Sequence, residues 1–394
     1  LSLRQQIEQE IRDNGPIPFS RYMQLCLYHP VQGYYSRNAN QFGKAGDFYT
    51  SSDVHAVFGR LLARQFDQIW QALDRTPQIE ILELGPGRGL FARDVLDWSS
   101  KKFSGFFAAL TYTLQETSPA LQAKLQETLR EHIGSGKAYV GTDAFIRPAE
   151  QSEAPADVCR TLAPDVPLIV FANEFFDALP VEILSPQGKL HIALADNRLH
   201  EIWLPPHPEE LEFLDRYGVH PEARERPAED ERIEVPIAAQ AWIRQIASQI
   251  NQGVLIAIDY GYTRNQQLAG RHRGTLMAYR HHSASSDPYQ APGEQDLTAH
   301  VNFTALAAEC EQAGMRCEKL RTQSQFLMGI GESNQFADAF EDCRVPQEQA
   351  KVALQLKHLV TPSGMGENFQ VFIATRGVNP NKVASLSGLS FGAS

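Results

Sequence analysis

The chain has no apolar run approaching the ~18 residues that cross a bilayer. Its first thirty residues, with Glu8, Glu10 and Asp13 among them, contain no signal-peptide core. A disulfide framework is missing too. Five cysteines, Cys26, Cys159, Cys310, Cys317 and Cys343, are odd in number, scattered and without a C-x-x-C pair. That pattern disfavours structural zinc and fits a reducing compartment. Positive charge is also short: the formal net charge is −11, which argues against a nucleic-acid duplex as partner because Lys and Arg dominate phosphate contact. It permits a cationic protein target, although solubility is the commoner reason for net charge alone. No internal repeat is visible. These absences predict a soluble, intracellular protein without membrane insertion. The 394 residues, 43% of them hydrophobic, leave room for one large α/β domain with insertions or for two domains.

The most informative stretch runs Ile79-Glu80-Ile81-Leu82-Glu83-Leu84-Gly85-Pro86-Gly87-Arg88-Gly89-Leu90. A β-prone apolar run passes through three glycines and opens onto the helical pattern Leu90–Trp98, which predicts strand, tight turn, helix. Glycine there permits positive φ and close approach of a ligand to the backbone, while Pro86 stiffens the loop. The spacing is G-x-G-x-G, one residue short of the dinucleotide fingerprint, and the next acid at a strand end, Glu116, lies well beyond that fingerprint's offset of roughly 20 residues. Both facts disfavour NAD. Glu83 two residues before the first glycine, with Glu116 closing the next strand, instead resembles motif I of class I S-adenosylmethionine-dependent methyltransferases. That cofactor has no pyrophosphate to cradle, and acids suit its ammonium, sulfonium and ribose hydroxyls. For the glycines taken alone, a purely structural turn is the alternative.

Residues 1–70 precede this unit as an amino-terminal helical region. Helices are expected at Ser2–Asp13 and Phe19–Leu27, then aromatic, glycine-rich loops at 29–35 and 42–52, which suit a lid or a packed satellite core, then a helix at Val54–Leu73. Strand patterns at Gln78–Leu84, Thr111–Glu116, Lys137–Gly141, Pro167–Ala172 and Gly253–Asp259 alternate with helical patterns at Leu90–Trp98, Pro119–His132 and Ile237–Ile250. That rhythm predicts a parallel sheet with right-handed crossovers and ligands at the carboxyl ends of its strands. The cofactor-binding core is thus expected over 71–180 and 237–377. It would be interrupted by an inserted subdomain at 181–236 with a hairpin about Asp196-Asn197, and by a long polar loop at 263–302. Phe303–Ala313 and Gln347–Val360 are expected helices, Cys317–Ser324 and Phe369–Thr375 the last strands, and 378–394 a disordered Gly/Ser-rich tail.

A second constellation follows the strand Leu168–Ala172: Asn173-Glu174-Phe175-Phe176-Asp177-Ala178-Leu179-Pro180. An amide and two carboxylates just past a buried strand fall where a methyl donor would point. Helix capping by Asn173 or Glu174 accounts for part of the cluster. With Gly46-Asp47-Phe48-Tyr49-Thr50-Ser51, Leu82–Gly89, Ile258-Asp259-Tyr260-Gly261-Tyr262, Pro292-Gly293-Glu294, Asp296–Asn302 and Gly364-Met365-Gly366-Glu367, the chain resembles the MidA-like family of class I methyltransferases. These stretches span most of the sequence in the family's order. The family occurs in bacteria and in mitochondria, where a member assists complex I assembly by symmetrically dimethylating an arginine of a core subunit.

The resemblance implies an α/β, Rossmann-like class I fold with a seven-stranded, mostly parallel sheet, a helical amino-terminal lid and an inserted substrate-shaping subdomain. It implies S-adenosyl-L-methionine as cofactor and S-adenosyl-L-homocysteine as product. Glu83, Gly85, Gly87, Gly89, Glu116, Asp143, Ala144 and Asn173 would line the cofactor, Glu116 on the ribose and Asp143 with Ala144 near adenine. Thr50 and Ser51 would reach it from the lid. Glu174 and Asp177 would grip an arginine, Asn173 would orient it, and His300 would accept its proton; a structural role for His300 stands beside that. Asn302 stands where an aspartate is expected and receives no acid or base role. His272, His281 and His282 lack ligand-spaced partners, so no metal is expected. Methyl transfer to another nucleophile, and cofactor-binding assembly without essential catalysis, are the competing functions. The expected partner is a protein substrate, such as a complex I subunit, with a homodimer left open. The expected compartment is the bacterial cytoplasm, or the mitochondrial matrix if a targeting peptide precedes Leu1.

Overall fold

The computed structural model describes residues 1–37, 56–141, 165–217, 231–266, 273–280, 283–285 and 287–391. Contacts divide the chain into two compact units, one of residues 39–174, 245–259 and 310–394 and the other of residues 1–38, 175–244 and 260–309.

The sheet of the first unit has a main path of seven strands among the described residues: β1 (Ile79–Leu84), β2 (Leu110–Gln115), β3 (Ala138–Gly141), β4 (Leu168–Asn173), β5 (Gly253–Tyr262), β6 (Arg316–Cys317) and β7 (Phe369–Arg376). Their order is β6-β7-β5-β4-β1-β2-β3. β1 pairs in parallel with β2 and β4, as do β2 with β3 and β4 with β5, while β6 runs antiparallel to β7. The chain therefore winds outward from β1 to β3, then reverses at β4, and the crevice of such a sheet opens at the β1/β4 switch point. All six residues of β1 are buried, Glu80 and Glu83 included. Alternation puts these two acids on opposite faces. Glu80 accepts from the Thr113 hydroxyl at 2.6 Å and Glu83 from the Tyr112 hydroxyl at 2.8 Å, so neither is buried without a partner.

Helix Leu90–Lys102 lies on the Glu83 face, where Phe91 stacks on Phe171 of β4 with ring centroids 4.4 Å apart. Phe66 of helix Val57–Ala72 meets both rings edge-on. These two helices approach closely because Gly59 faces Asp94: a Cβ at Gly59 would lie 2.7 Å from the Asp94 Cβ.

Two expectations for this unit are corrected. The segment Cys317–Ser324 is not one strand. Arg316–Cys317 and Arg321–Thr322 each pair briefly with β7, and Thr322 then opens helix Gln323–Glu332 through a capping box with Gln325. The tail after Arg376 is not disordered over its described part. Pro380–Ala384 and Ser387–Ser390 are helical, with Val383, Leu386 and Leu389 buried. Gln68 accepts from the Ser387 N–H and hydroxyl, Gln65 accepts from the Gly388 N–H, and Arg321 donates to the Leu389 carbonyl. Small residues here allow close backbone approach.

The second unit gathers segments that were expected to lie apart. Residues 1–37 group with the insertion and with the long loop, whereas helix Val57–Ala72 belongs to the first unit, so the expected 1–70 region divides. Leu3, Ile7 and Ile11, four residues apart on helix Leu3–Asn14, pack with Phe19, Tyr22 and Met23 of helix Phe19–Tyr28 and with Leu190 and Ile192 of strand Gly188–Ala195. That strand, Glu182–Ser185, Ile233–Val235, Ile17–Pro18 and Arg198–Leu204 form a five-stranded antiparallel sheet. The expected hairpin turns at Asp196 and Asn197, with φ of 48° and 58°, the left-handed pair that a two-residue turn requires. Within the long loop, Met277–Arg280 pairs antiparallel with Ser283–Ser285 and with Asp296–Thr298.

Candidate functional site

In the first unit, the loop after β1 has all three glycines at positive φ: Gly85 at 62°, Gly87 at 54° and Gly89 at 74°. Alternating with Pro86 and Arg88, they form a turn that side chains would strain and crowd. The loop closes with Gly89 N–H donating to the Pro86 carbonyl at 2.9 Å, and Gly85 N–H ties it to the Gln115 carbonyl at 3.2 Å. A Cβ on Gly89 would lie 2.6 Å from Leu125.

Two acids flank this loop. Glu83, 4% exposed, engages Tyr112 from within the fold, and burial pushes its carboxyl up to about 8 against the lowering effect of the Tyr112 hydrogen bond. Glu116, just past β2, accepts from the Ser118 N–H at 2.8 Å. Burial raises its carboxyl to about 7, opposed by backbone N–H groups of Ser118 and Thr117.

At the end of β4, the Asn173 amide donates to Glu174 Oε1 at 3.1 Å. Asn173 shares a sheet face with Glu83 and Phe171, by register and alternation. Its Oδ1 is buried without a hydrogen-bond partner among the described residues. Glu174 turns the chain sharply: its φ is 52°, and its N–H donates to the Ile258 carbonyl at 2.9 Å. A non-glycine residue held there carries about 1–3 kcal/mol of strain, a cost concentrated at functional sites.

In the second unit, Asp177 and His300 come together through backbone. The Ala299 N–H donates to the Asp177 carbonyl at 2.9 Å, and the next N–H, that of His300, donates to the Thr275 hydroxyl at 2.9 Å. The His300 imidazole lies nearly parallel to Tyr260, centroids 6.1 Å apart. Asp177 is buried, as is Asp296, which accepts from the Tyr35 hydroxyl at 2.8 Å. Both carboxylates act on the same tyrosines: burial first, and then Asp296 and Asp177, raise the Tyr35 hydroxyl, and the two acids also add to the raised Tyr279. Tyr28 donates to the Ala178 carbonyl at 2.9 Å, bracing the turn after Asp177. Asp296, Tyr35 and Tyr279 were not foreseen. Tyr35 and Asp296 are 261 residues apart, so no local pattern joins them.

Asn302 takes a structural role. Its amide donates to the Tyr217 carbonyl and its Oδ1 accepts from the Ala305 N–H at the head of helix Phe303–Gln312. An aspartate could not make the first bond. Thr50, Ser51, Asp143 and Ala144, with His272, His281 and His282, lie outside the described residues. Among the described residues no group of His, Cys, Asp or Glu is arranged to hold a metal, and no helix is long and apolar enough to cross a membrane.

A reversing parallel sheet, a three-glycine turn at its switch point and an acid closing the neighbouring strand define a Rossmann-like class I methyltransferase. The residues fit a sulfonium nucleoside: glycines leave room against the backbone, Glu116 offers oxygens for ribose hydroxyls, and Asn173 Oδ1 is an acceptor awaiting a donor. Residues 61–321 match the model of a family of S-adenosyl-L-methionine-dependent methyltransferases. The chain belongs to that family, within the MidA-like superfamily. It is 29% identical to the mitochondrial protein arginine methyltransferase NDUFAF7 of Danio rerio, over 94% of this chain and 86% of that protein. To the human NDUFAF7 it is 27% identical, over 92% and 81%. A superfamily relative from Burkholderia thailandensis, solved with S-adenosyl-homocysteine bound, superposes with a TM-score of 0.78 at 26% identity, covering 97% of this chain and 94% of that one.

Proposed function

We propose that the protein is a protein arginine N-methyltransferase that dimethylates an arginine symmetrically (type II) on a partner protein, a subunit of respiratory complex I being the expected kind of target. The observation that carries this reading is the buried acids Asp177 and Asp296, the second accepting from Tyr35 at 2.8 Å, in the unit that also holds His300. Buried carboxylates suit a delocalised, permanently charged guanidinium better than a neutral acceptor. The relatives named as arginine methyltransferases support the same assignment.

When bound, the cofactor supplies an electrophilic methyl on sulfur. The chain's own groups then have four tasks. Glu116 accepts the ribose hydroxyls, and the glycine turn admits the nucleoside against the backbone. Asp177 grips the guanidinium so that one nitrogen is presented; such positioning is worth up to roughly 7–11 kcal/mol. An arginine cannot be deprotonated beforehand, its pKa being above ~12. His300 takes the proton as transfer proceeds, a role that imidazole fills near neutral pH.

The test is incubation of the folded protein with methyl-labelled S-adenosyl-L-methionine and arginine-bearing peptides of respiratory subunits, with the product read by mass spectrometry. Symmetric dimethylarginine is the expected result. Tight cofactor binding with label on another residue type would replace the arginine assignment with a different methyl acceptor.

A further inference from the structure

His300 is held by a short chain of groups that begins on the sheet of the second unit. Glu234, on strand Ile233–Val235, is buried, and its Oε1 accepts from the backbone N–H groups of Thr275 and Leu276, the latter at 3.0 Å. Thr275 is thus held to Glu234 through its backbone N–H, and its hydroxyl oxygen receives the His300 N–H at 2.9 Å.

The turn is shaped around this carboxylate. Gly274 has φ of 79°, and a Cβ there would lie 2.5 Å from Glu234 Oε1, so the chain at 274–276 folds against an acid that only glycine lets it approach. Strand Met277–Arg280 leaves this turn and pairs with Asp296–Thr298, two residues before His300. The His300 segment is therefore fixed at its start by strand pairing, at Ala299 by the Asp177 carbonyl, and at its own N–H by Thr275.

We infer that Glu234 and Thr275 are positioning residues that set His300 for proton transfer in the methyl-transfer reaction. The inference rests on the reading of His300 given above. Neither residue touches the reacting atoms; each acts through the next. Replacing Thr275 by valine keeps the shape and removes the hydroxyl, while serine keeps the hydroxyl.

The decisive measurement is the NMR of the full chain labelled at histidine, compared among wild type, Thr275→Val, Thr275→Ser and Glu234→Gln. The expected result is that Thr275→Val displaces the His300 amide and imidazole resonances and Thr275→Ser restores them. Glu234→Gln, which keeps an acceptor, should give an intermediate displacement. In the arginine-peptide assay, Thr275→Val should lower kcat by about tenfold, the worth of one hydrogen bond, with KM for S-adenosyl-L-methionine unchanged. It should add nothing further in a His300→Asn background. Unmoved His300 resonances in Thr275→Val, or rate losses that multiply in the double variant, would overturn the inference. A wild-type rate in His300→Asn alone would instead remove the proton-accepting role, leaving the resonances to decide whether the two residues hold this histidine.

Discussion

The glycine turn after β1 and the acid–tyrosine cluster about Asp177 solve different problems by different means. The turn is a backbone device: three residues without side chains, all at positive φ, within five positions of sequence. The cluster is a side-chain device, drawing Tyr35, Asp177, Tyr279 and Asp296 from segments far apart in the chain. A cofactor shared by a whole family can be met by one local conformation. A particular acceptor must be met by a constellation that only the tertiary fold assembles. The first device is therefore sensitive to added atoms, the second to altered charge.

That contrast is broken most sharply by Asp177→Asn. We expect methyl transfer to fall on the order of 100- to 1,000-fold, the scale for removing one preorganised electrostatic contact. Calorimetry should find the affinity for S-adenosyl-L-homocysteine unchanged. Equal losses of transfer and binding would merge the two devices into one.

Gly87→Val is the reverse experiment. A β-branched residue forced to positive φ costs about 1–3 kcal/mol and crowds the approach, so affinity for the same ligand should weaken by about 100-fold. Circular dichroism should report an intact fold.

Next in size is the pH dependence of binding. Glu116, raised to about 7, must ionise to accept two ribose hydroxyls. Affinity should strengthen as pH rises through that value, by about tenfold across one pKa interval, with a proton released on binding. Glu116→Gln should flatten the curve, and a pH-independent wild type would detach Glu116 from the ribose.

The smallest effect concerns stability. Glu83 and Glu116 keep protons in the folded state, up to about 8 and about 7, that the unfolded chain sheds near 4.5. Their contribution is complete below 4.5 and is lost as pH rises through 7 and 8. Urea midpoints should therefore decline over that interval, and less so in Glu83→Gln, which retains an acceptor for Tyr112.

What could be read in advance follows the same division. The strands β1 to β5, the glycine turn and the Asp196-Asn197 hairpin were legible because periodicity and turn chemistry act within a few residues. Helix Gln323–Glu332 was missed because Cys317–Ser324 was read as one strand running past Thr322, and Gly329 and Gly331 weaken the helical pattern beyond it, although Thr322 and Gln325 carried a capping signature. The tail was misjudged because composition cannot show that Gln65 and Gln68 have side-chain carbonyls for Ser387 and Gly388. Among the candidate residues, Glu116, Asn173 and Glu174 were visible as acids and an amide at strand ends and Asp177 just beyond one, whereas Asp296, Thr275 and Glu234 gain meaning only from contacts across the second unit.

The same tail bears on how the protein is made. Gln65 and Gln68 bond residues 323 and 319 positions later, so during synthesis helix Val57–Ala72 acquires these packing partners only after every strand of the sheet has been made. Until then one flank of the cofactor-binding unit is open, and the nascent chain must wait with that flank exposed. A premature stop before Pro380 would release a polypeptide that still encodes the glycine turn and Glu116 but has lost the segment that closes the unit holding them.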